Sequence, residues 1–466
     1  MFKIKFTDEI IVNETGLTMV GKILNDTSFR TKINNKSKIK NSSNIIPTYD
    51  IMATYIGCLA QAKPDFERIE EYRNDQFFKK AMMLEKKSPS ESIARQRLDA
   101  IGKDDMDEFK NIIDDVNIEL LANEKVTITP RYNDFVPIDI DVSPHDNSGT
   151  KKEGVSYTYK GYDGYSPIYA YIGNEGYLLG LELREGSEHS QCEKTIPFLK
   201  NIIKISNKII KGKKRLFTLD SGHSCTDNIE LFTNEKVDYI IKKNNQRDNL
   251  KNIFENAEKK YNKQLKENKK DNIQIVKKME TREGKDYYIT SIEKIKYIKN
   301  LEGKEIPQKV RIVQECIKRT IDKNGQVLIL PEYEVKQYYT SLDKSISDED
   351  VIELYHAHAV CEQFHSEIKT DMDLDRLPSG KFNTNEIVLK LAQLTFNILR
   401  MIGQASIELQ RDGLNIKRKR IRTVIKDIIY FASKIVNHAR QEYISISKCE
   451  FFRETFKNLY NHFCYG

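Results

Sequence analysis

The run Phe135-Val-Pro-Ile-Asp139-Ile-Asp141-Val-Ser143 decides how the rest of the chain is read. Apolar and acidic residues alternate with period two, the pattern of a strand with one face against a core. Asp139 and Asp141 therefore share a face. A second run, Arg215-Leu-Phe-Thr-Leu219-Asp220-Ser-Gly222, is a short apolar strand that ends on an acid and turns at glycine. A carboxylate after such a run is costly unless it is paired or metal-bound. Between the two, Gly154 to Tyr171 and Tyr177 to Leu183 predict further strands. Glu193 to Ile210 predicts a helix leading into the Asp220 strand. Thr226 to Asn234 predicts a short helix, and Val237 to Ile241 another strand.

Further along lies Tyr355-His-Ala-His358-Ala-Val-Cys-Glu362-Gln-Phe-His-Ser-Glu-Ile-Lys369. Read as one helix, it keeps Tyr355, His358, Glu362 and Lys369 on a single face. A carboxylate beside a cation, an imidazole and a phenol suits a surface that holds a metal ion and grips phosphate. Glu367 lies off that face and is expected to be solvated. His145, His189, His223 and His365 fall near the same site, as surface or supporting residues.

The order of strands and acids resembles the RNase H-like core of DDE transposases. Tyr355, Glu362 and Lys369 stand at the spacings of the Tyr-x2-Arg-x3-Glu-x6-Lys signature of bacterial insertion-sequence transposases, with His358 where the arginine belongs. Asp141-Val-Ser143-Pro-His-Asp-Asn-Ser-Gly149, Leu183-Arg-Glu-Gly-Ser-Glu-His-Ser190 and Leu377-Pro-Ser-Gly380-Lys-Phe look like the thirteen-eighty-like branch of that group. The resemblance runs from about Pro47 to the C-terminus. It implies an α/β fold: an RNase H-like mixed sheet flanked by helices. It also implies a β-rich insertion between the second Asp and the Glu.

By that resemblance Asp141, Asp220 and Glu362 are catalytic metal ligands. Asp141 stands two residues before Ser143, as in the family's Asp-x-Thr/Ser pattern, and Asp139 is the alternative ligand or a supporting partner. Phosphodiester hydrolysis needs an activated water and a stabilised leaving oxygen, which two Mg2+ (or Mn2+) ions about 3.5–4 Å apart supply. Such hard cations take oxygen ligands. Tyr355 is expected against a sugar or base and Lys369 on phosphate. His358 either takes the arginine's phosphate contact or merely packs, with His356 or another arginine substituting. Arginine offers a fixed bidentate fork that histidine lacks.

The chain has 466 residues, enough for two or three domains, and its +7 balance comes from 76 basic and 69 acidic side chains. That excess is too small to indicate nucleic acid by itself, so its distribution matters more. Lys and Arg cluster at 32–40, 211–215, 242–251, 259–278 and 417–422. Such clusters can follow a phosphate backbone. The seven cysteines are scattered with no CxxC pair, which indicates reduced thiols and no zinc site. No apolar stretch is long enough for a membrane span, and Met1-Phe-Lys-Ile-Lys-Phe has no signal-peptide character. The expected setting is the bacterial cytosol, in association with the nucleoid.

The expected organisation has five parts. Residues 1–125 form an all-helical DNA-binding region, in which Ser88-Pro-Ser-Glu91 starts a helix carrying Arg95 and Arg97 into a major groove. Residues 126–245 form the first part of the catalytic core. The β-rich insertion spans 246–345, with strands at Ile273–Val276, Asp286–Ile298, Val310–Ile317 and Gln326–Leu330. Residues 346–385 complete the core and carry Glu362. Residues 386–466 are helical, with Arg418 and Arg420 on a basic helix over Arg418–Ala439. The function expected is a DNA transposase that binds terminal inverted repeats, hydrolyses a phosphodiester and joins the freed end to target DNA. Its partner is double-stranded DNA, and family resemblance implies a homodimer on it. Two alternatives stand: a stand-alone RNase H-like nuclease, and a non-catalytic DNA-binding protein derived from a transposase.

Overall fold

Val136–Val142 and Arg215–Leu219 run parallel at the centre of the molecule, Ile138 beside Phe217 and Ile140 beside Leu219. The computed structural model describes all residues except 1, 2, 5, 37–44, 189, 267–275, 323, 410–416, 450–451 and 466. His189 and parts of the 32–40 and 259–278 cation clusters lie outside the described residues. On one side of the central pair, Ile168–Ile172 and Tyr177–Glu182 continue the sheet antiparallel. On the other, Asp238–Lys242 adds in parallel. This is the mixed sheet expected; of the run predicted from Gly154 to Tyr171, only Ile168–Ile172 joins it, while Ser156–Tyr157 and Asp163–Tyr165 form a small separate sheet with His145–Asp146.

The strands are short and buried because both faces are covered. Ile138 and Ile140 point into the main apolar core, while Asp139 and Asp141 point to the opposite face. Helix Thr195–Ile209 packs on the Tyr177 strand. The 28-residue helix Phe382–Leu409 is buried almost all round and passes between that strand and the helices Thr48–Leu59, Glu91–Asp104 and Met106–Leu121. Its apolar residues fill the core on several sides, and the polar ones buried with them, such as Asn397 and Arg400, are paired.

One irregularity shows how the layers are tied. The pairing of Ile168–Ile172 with Tyr177–Glu182 slips between Ala170 and Tyr171, leaving Leu179 as the extra residue. Two buried asparagines satisfy the backbone groups this frees. Asn397 Oδ1 accepts from Leu178 N at 2.8 Å, and Asn117 Nδ2 donates to the Leu178 and Leu179 carbonyls at 3.1 Å each. Buried backbone groups left unmatched would cost about 1–3 kcal/mol each.

The insertion is β-rich as expected, but it is not a separate sheet. Val276–Lys278, Lys285–Lys299, Glu305–Ile321 and Val327–Thr340 pair in succession, and Tyr339 then pairs with Ile241. Among the described residues, core and insertion thus form one sheet of nine strands. Two of the strands are much longer than the predicted runs: Glu305–Ile321 extends outward from Val310–Ile317 through polar residues, and Val327–Thr340 extends inward from the predicted tip past Pro331 and through alternating charged residues. The beginning of the strand predicted at Ile273 lies outside the described residues.

The terminal regions depart from expectation. The chain is not helical to its end. Helical winding covers only 421–429 of the predicted basic helix, and Ser433–His438 then pairs with Gln441–Ser445. Ile10–Val12 joins this hairpin, so the N-terminal region holds one strand among its helices. The hairpin turns at Ala439 and Arg440, which have φ of +50° and +63°. Neither residue is the Gly or Asn that normally announces such a turn, and the hairpin was therefore hidden in the sequence.

Candidate active site on the central strands

Parallel pairing stops at Ile140 and Leu219, so the next residues, Asp141 and Asp220, leave adjacent strand ends side by side. Their environments differ from that of Asp139, two residues back. Asp139 is 1% exposed, and its two oxygens meet Arg131 at 2.9 and 2.5 Å. His358 Nδ1 adds a bond at 3.1 Å. Burial alone would raise this carboxyl, but Arg131 and His358 hold it below the usual range. Arg131 reaches it because the chain reverses at Asn133 and Asp134, both with φ near +61°. Asp139 already has its cation, so of its two expected roles the supporting one fits.

Asp141 keeps more access, with its side chain 24% exposed. One oxygen accepts from Val142 N at 2.8 Å and the other faces His365 Nε2 at 3.2 Å. Burial pushes the acid up, but His365, His358 and His223 together bring it below the ordinary value. Asp220 is 40% exposed, and its Oδ1 takes both Gly222 N at 3.1 Å and His223 Nδ1 at 2.7 Å. Its Oδ2 has no hydrogen-bond partner among the described residues.

Glu362 is exposed and makes no ion pair among the described residues. Its segment is not the uniform α-helix predicted. α-Helix Asp348–His356 tightens to a 3-10 turn at Ala357–Val360, resumes over Cys361–Ser366 and widens to a π turn at Glu367–Asp371. Mixed winding of this kind often marks functional sites. Phe364 anchors the segment, its ring lying over Gly176; a Cβ on Gly176 would sit 2.2 Å from it. The Tyr159 phenol reads the local charge: after burial, Asp141, Asp220 and Glu362 all push its pKa up. The Tyr355 hydroxyl is raised likewise by burial, Asp220 and Asp141.

Other predicted residues are placed differently. His358 is buried beside Asp139 rather than facing outward, since that carboxylate attracts its imidazole. Burial lowers its pKa and Asp139 more than restores it. Lys369 donates to the Pro144 carbonyl, in the loop that follows Asp141. Glu367 is buried, not solvated: Arg400 meets it at 2.5 Å and Arg418 at 2.9 Å. The charges of Arg400 and Arg418 make its burial tolerable, and both come from segments distant in the chain. Arg418 and Arg420 serve the same lattice, Arg420 gripping Asp371 at 2.7 and 3.0 Å. Neither sits on the long basic helix that was predicted. Ser90 does start the Arg95 helix, accepting from Ile93 N at 3.4 Å. Arg95 pairs with Glu91 at 2.7 Å, while Arg97 donates to Thr48 at 3.0 Å.

Sequence reading missed Arg131, and it placed His223 and His365 near the site without their carboxylate partners, Asp220 and Asp141. The signal for Arg131 was the acid in mid-strand at Asp139, which demands a buried cation. Asp139, His358 and Cys361 offer ligand atoms within 4.8 Å of one another. Arg131 already supplies positive charge there, and burial with Asp139 and Asp141 nearby keeps the Cys361 thiol protonated. That trio does not fit a metal. Asp141, Asp220 and Glu362 offer the other donor chemistry: all oxygen, with open lone pairs on Asp220 and Glu362. Such a set suits Mg2+ or Mn2+.

The family model described as Transposase DDE domain group 1 matches residues 2–463. No curated protein matches the chain. Among solved structures, a chain of the piggyBac transposase synaptic complex with hairpin DNA, studied by cryo-EM, is similar at 11% identity and a TM-score of 0.40. The match covers 90% of this chain and 80% of that one. A likeness at that score is too loose to carry fold or function.

Proposed function

The chain belongs to the Transposase DDE domain group 1 family, and from that premise we propose that it is a bacterial insertion-sequence transposase of the thirteen-eighty-like branch. It binds terminal inverted repeats, cuts a phosphodiester and joins the freed 3′-OH to target DNA. The observation that supports this most is the adjacency of Asp141 and Asp220 at the ends of parallel strands, with Glu362 acting on the same Tyr159 hydroxyl.

Asp141, Asp220 and Glu362 hold two Mg2+ or Mn2+ ions, which supply an activated water and a stabilised leaving oxygen. Asp139 supports Asp141 from behind through its bond to Arg131. Lys369 contributes a point charge to substrate phosphate, and Tyr355 packs beside the cut strand. Arg95 and Arg420, with side chains 45% and 51% exposed, are the predicted arginines best placed for a DNA backbone. The protein works as a homodimer on paired ends, in the bacterial cytosol. Among the described residues no helix is long and apolar enough to cross a membrane.

The test is strand transfer with paired end DNA and Mg2+. Covalent joining of end DNA to a new target is the expected product. Cleavage without joining favours the stand-alone nuclease. End binding with no metal-dependent cleavage favours the non-catalytic descendant.

A further inference from the structure

Glu362 is flanked on its helix by His358, four residues before it, and His365, three residues after. Both imidazoles are buried, and both reach the same strand. His358 Nδ1 donates to Asp139 at 3.1 Å and His365 Nε2 to Asp141 at 3.2 Å. The second ring nitrogen of His365 is also engaged, with the Tyr171 hydroxyl 3.1 Å from Nδ1. Tyr169 and Tyr171 close edge-on against its ring at 5.1 and 5.3 Å. By contrast, His223 bonds the aspartate of its own loop, Asp220, and ties no helix to the sheet.

Glu362 itself makes no such bond among the described residues, so its place depends on its neighbours. The flanking windings are 3-10 and π, and backbone regularity therefore cannot hold it in register alone. Supporting groups that orient metal ligands are worth about 10–100-fold in metal affinity or activity.

We propose that His358 and His365 are positioning residues that latch the Glu362 helix to the Asp139–Asp141 strand at two points, setting Glu362 opposite Asp141 and Asp220. The latch rests on the transposase reading of the site. It gives His358 a task other than contact with phosphate. It also makes one helix both the source of the third carboxylate and the support of the first.

The test compares His358→Phe and His365→Phe, which keep a ring but lose the donor, with His358→Asn and His365→Gln, which keep an amide donor near the original nitrogen. Iron(II) bound in place of Mg2+ and supplied with hydrogen peroxide and ascorbate generates hydroxyl radicals (Fe2+ + H2O2 giving Fe3+, HO− and HO•) that cut the polypeptide beside each ligand. Wild type should be cut near Asp141, Asp220 and Glu362. The Phe variants should lose the cut near Glu362 and keep the other two. Their half-saturating Mg2+ for end cleavage should rise about 10-fold or more, while Asn and Gln variants stay within about 3-fold of wild type. Phe variants with the wild-type cutting pattern and Mg2+ dependence overturn the latch, as do Asn or Gln variants as damaged as the Phe ones. Thermal melting identifies a Phe variant that does not fold, and the Asn and Gln variants then decide. A wild type that shows neither iron cuts at these segments nor metal-dependent end cleavage sinks the transposase reading and the latch together. A fully active wild type with unaffected variants removes the latch alone.

Discussion

The two halves of the nine-stranded sheet are bonded as one but are built for different ends. In the core half, strands of five to seven residues are buried on both faces. In the insertion half, three strands of 14–17 residues run out beyond the core, and much of their length is solvated. At the far turn Val327, Ile329 and Leu330 stand in water, Ile329 fully so. An apolar tip of that kind marks a contact surface more often than a folding element. Continuity of a sheet is therefore no guide to where its stability resides. Burial on both faces fixes the core half, whereas the insertion is held at its inner end by small apolar clusters such as Phe254, Tyr288 and Val335, and beyond them mainly by strand pairing.

Four substitutions break or sharpen this contrast. Asp220→Asn keeps the side chain's shape and its bond from Gly222 N. It should lower end cleavage by on the order of 10^3-fold, several kcal/mol of transition-state stabilisation, with thermal melting unchanged. Undiminished cleavage would remove Asp220 from the ligand set. Phe217→Ala empties a fully buried place in the central strand and should cost about 3–5 kcal/mol in denaturant titration. Asn397→Ala leaves Leu178 N without its acceptor, and about 1–3 kcal/mol should be lost. Ile329→Ser, at the insertion tip, should shift stability by less than about 0.5 kcal/mol. A loss as large as that for Asn397→Ala would show that the tip packs on the molecule, and the contrast between the halves would fail.

The parts of this fold legible in the sequence are those with an unbroken local period. Helices Met106–Leu121 and Thr226–Asn234 begin and end where their patterns do. The strand before Asp220 is marked by its apolar run, and the acids beyond it by their cost. What was hidden depends on partners distant in the chain. Nothing near Glu367 announces Arg400 and Arg418. Nothing near Asp141 announces a histidine 224 positions later. Asp139 and Asp141 look alike on one strand, and only a chain reversal at Asn133 separates an acid already neutralised by Arg131 from one left open. The histidine in the arginine position was visible, but its inward turn follows from the charge of Asp139.

The Glu367–Arg418 and Asp371–Arg420 pairs carry a genetic consequence. A stop codon after Leu409 deletes both arginines while sparing every acid of the site. Glu367 would lose Arg418 together with part of the apolar packing around it, including the buried Ile421 and Val424, and the turn below Glu362 would lose its outer brace. A shortened product of such a gene should therefore keep all three carboxylates yet lose the packing that steadies the turn beside Glu362.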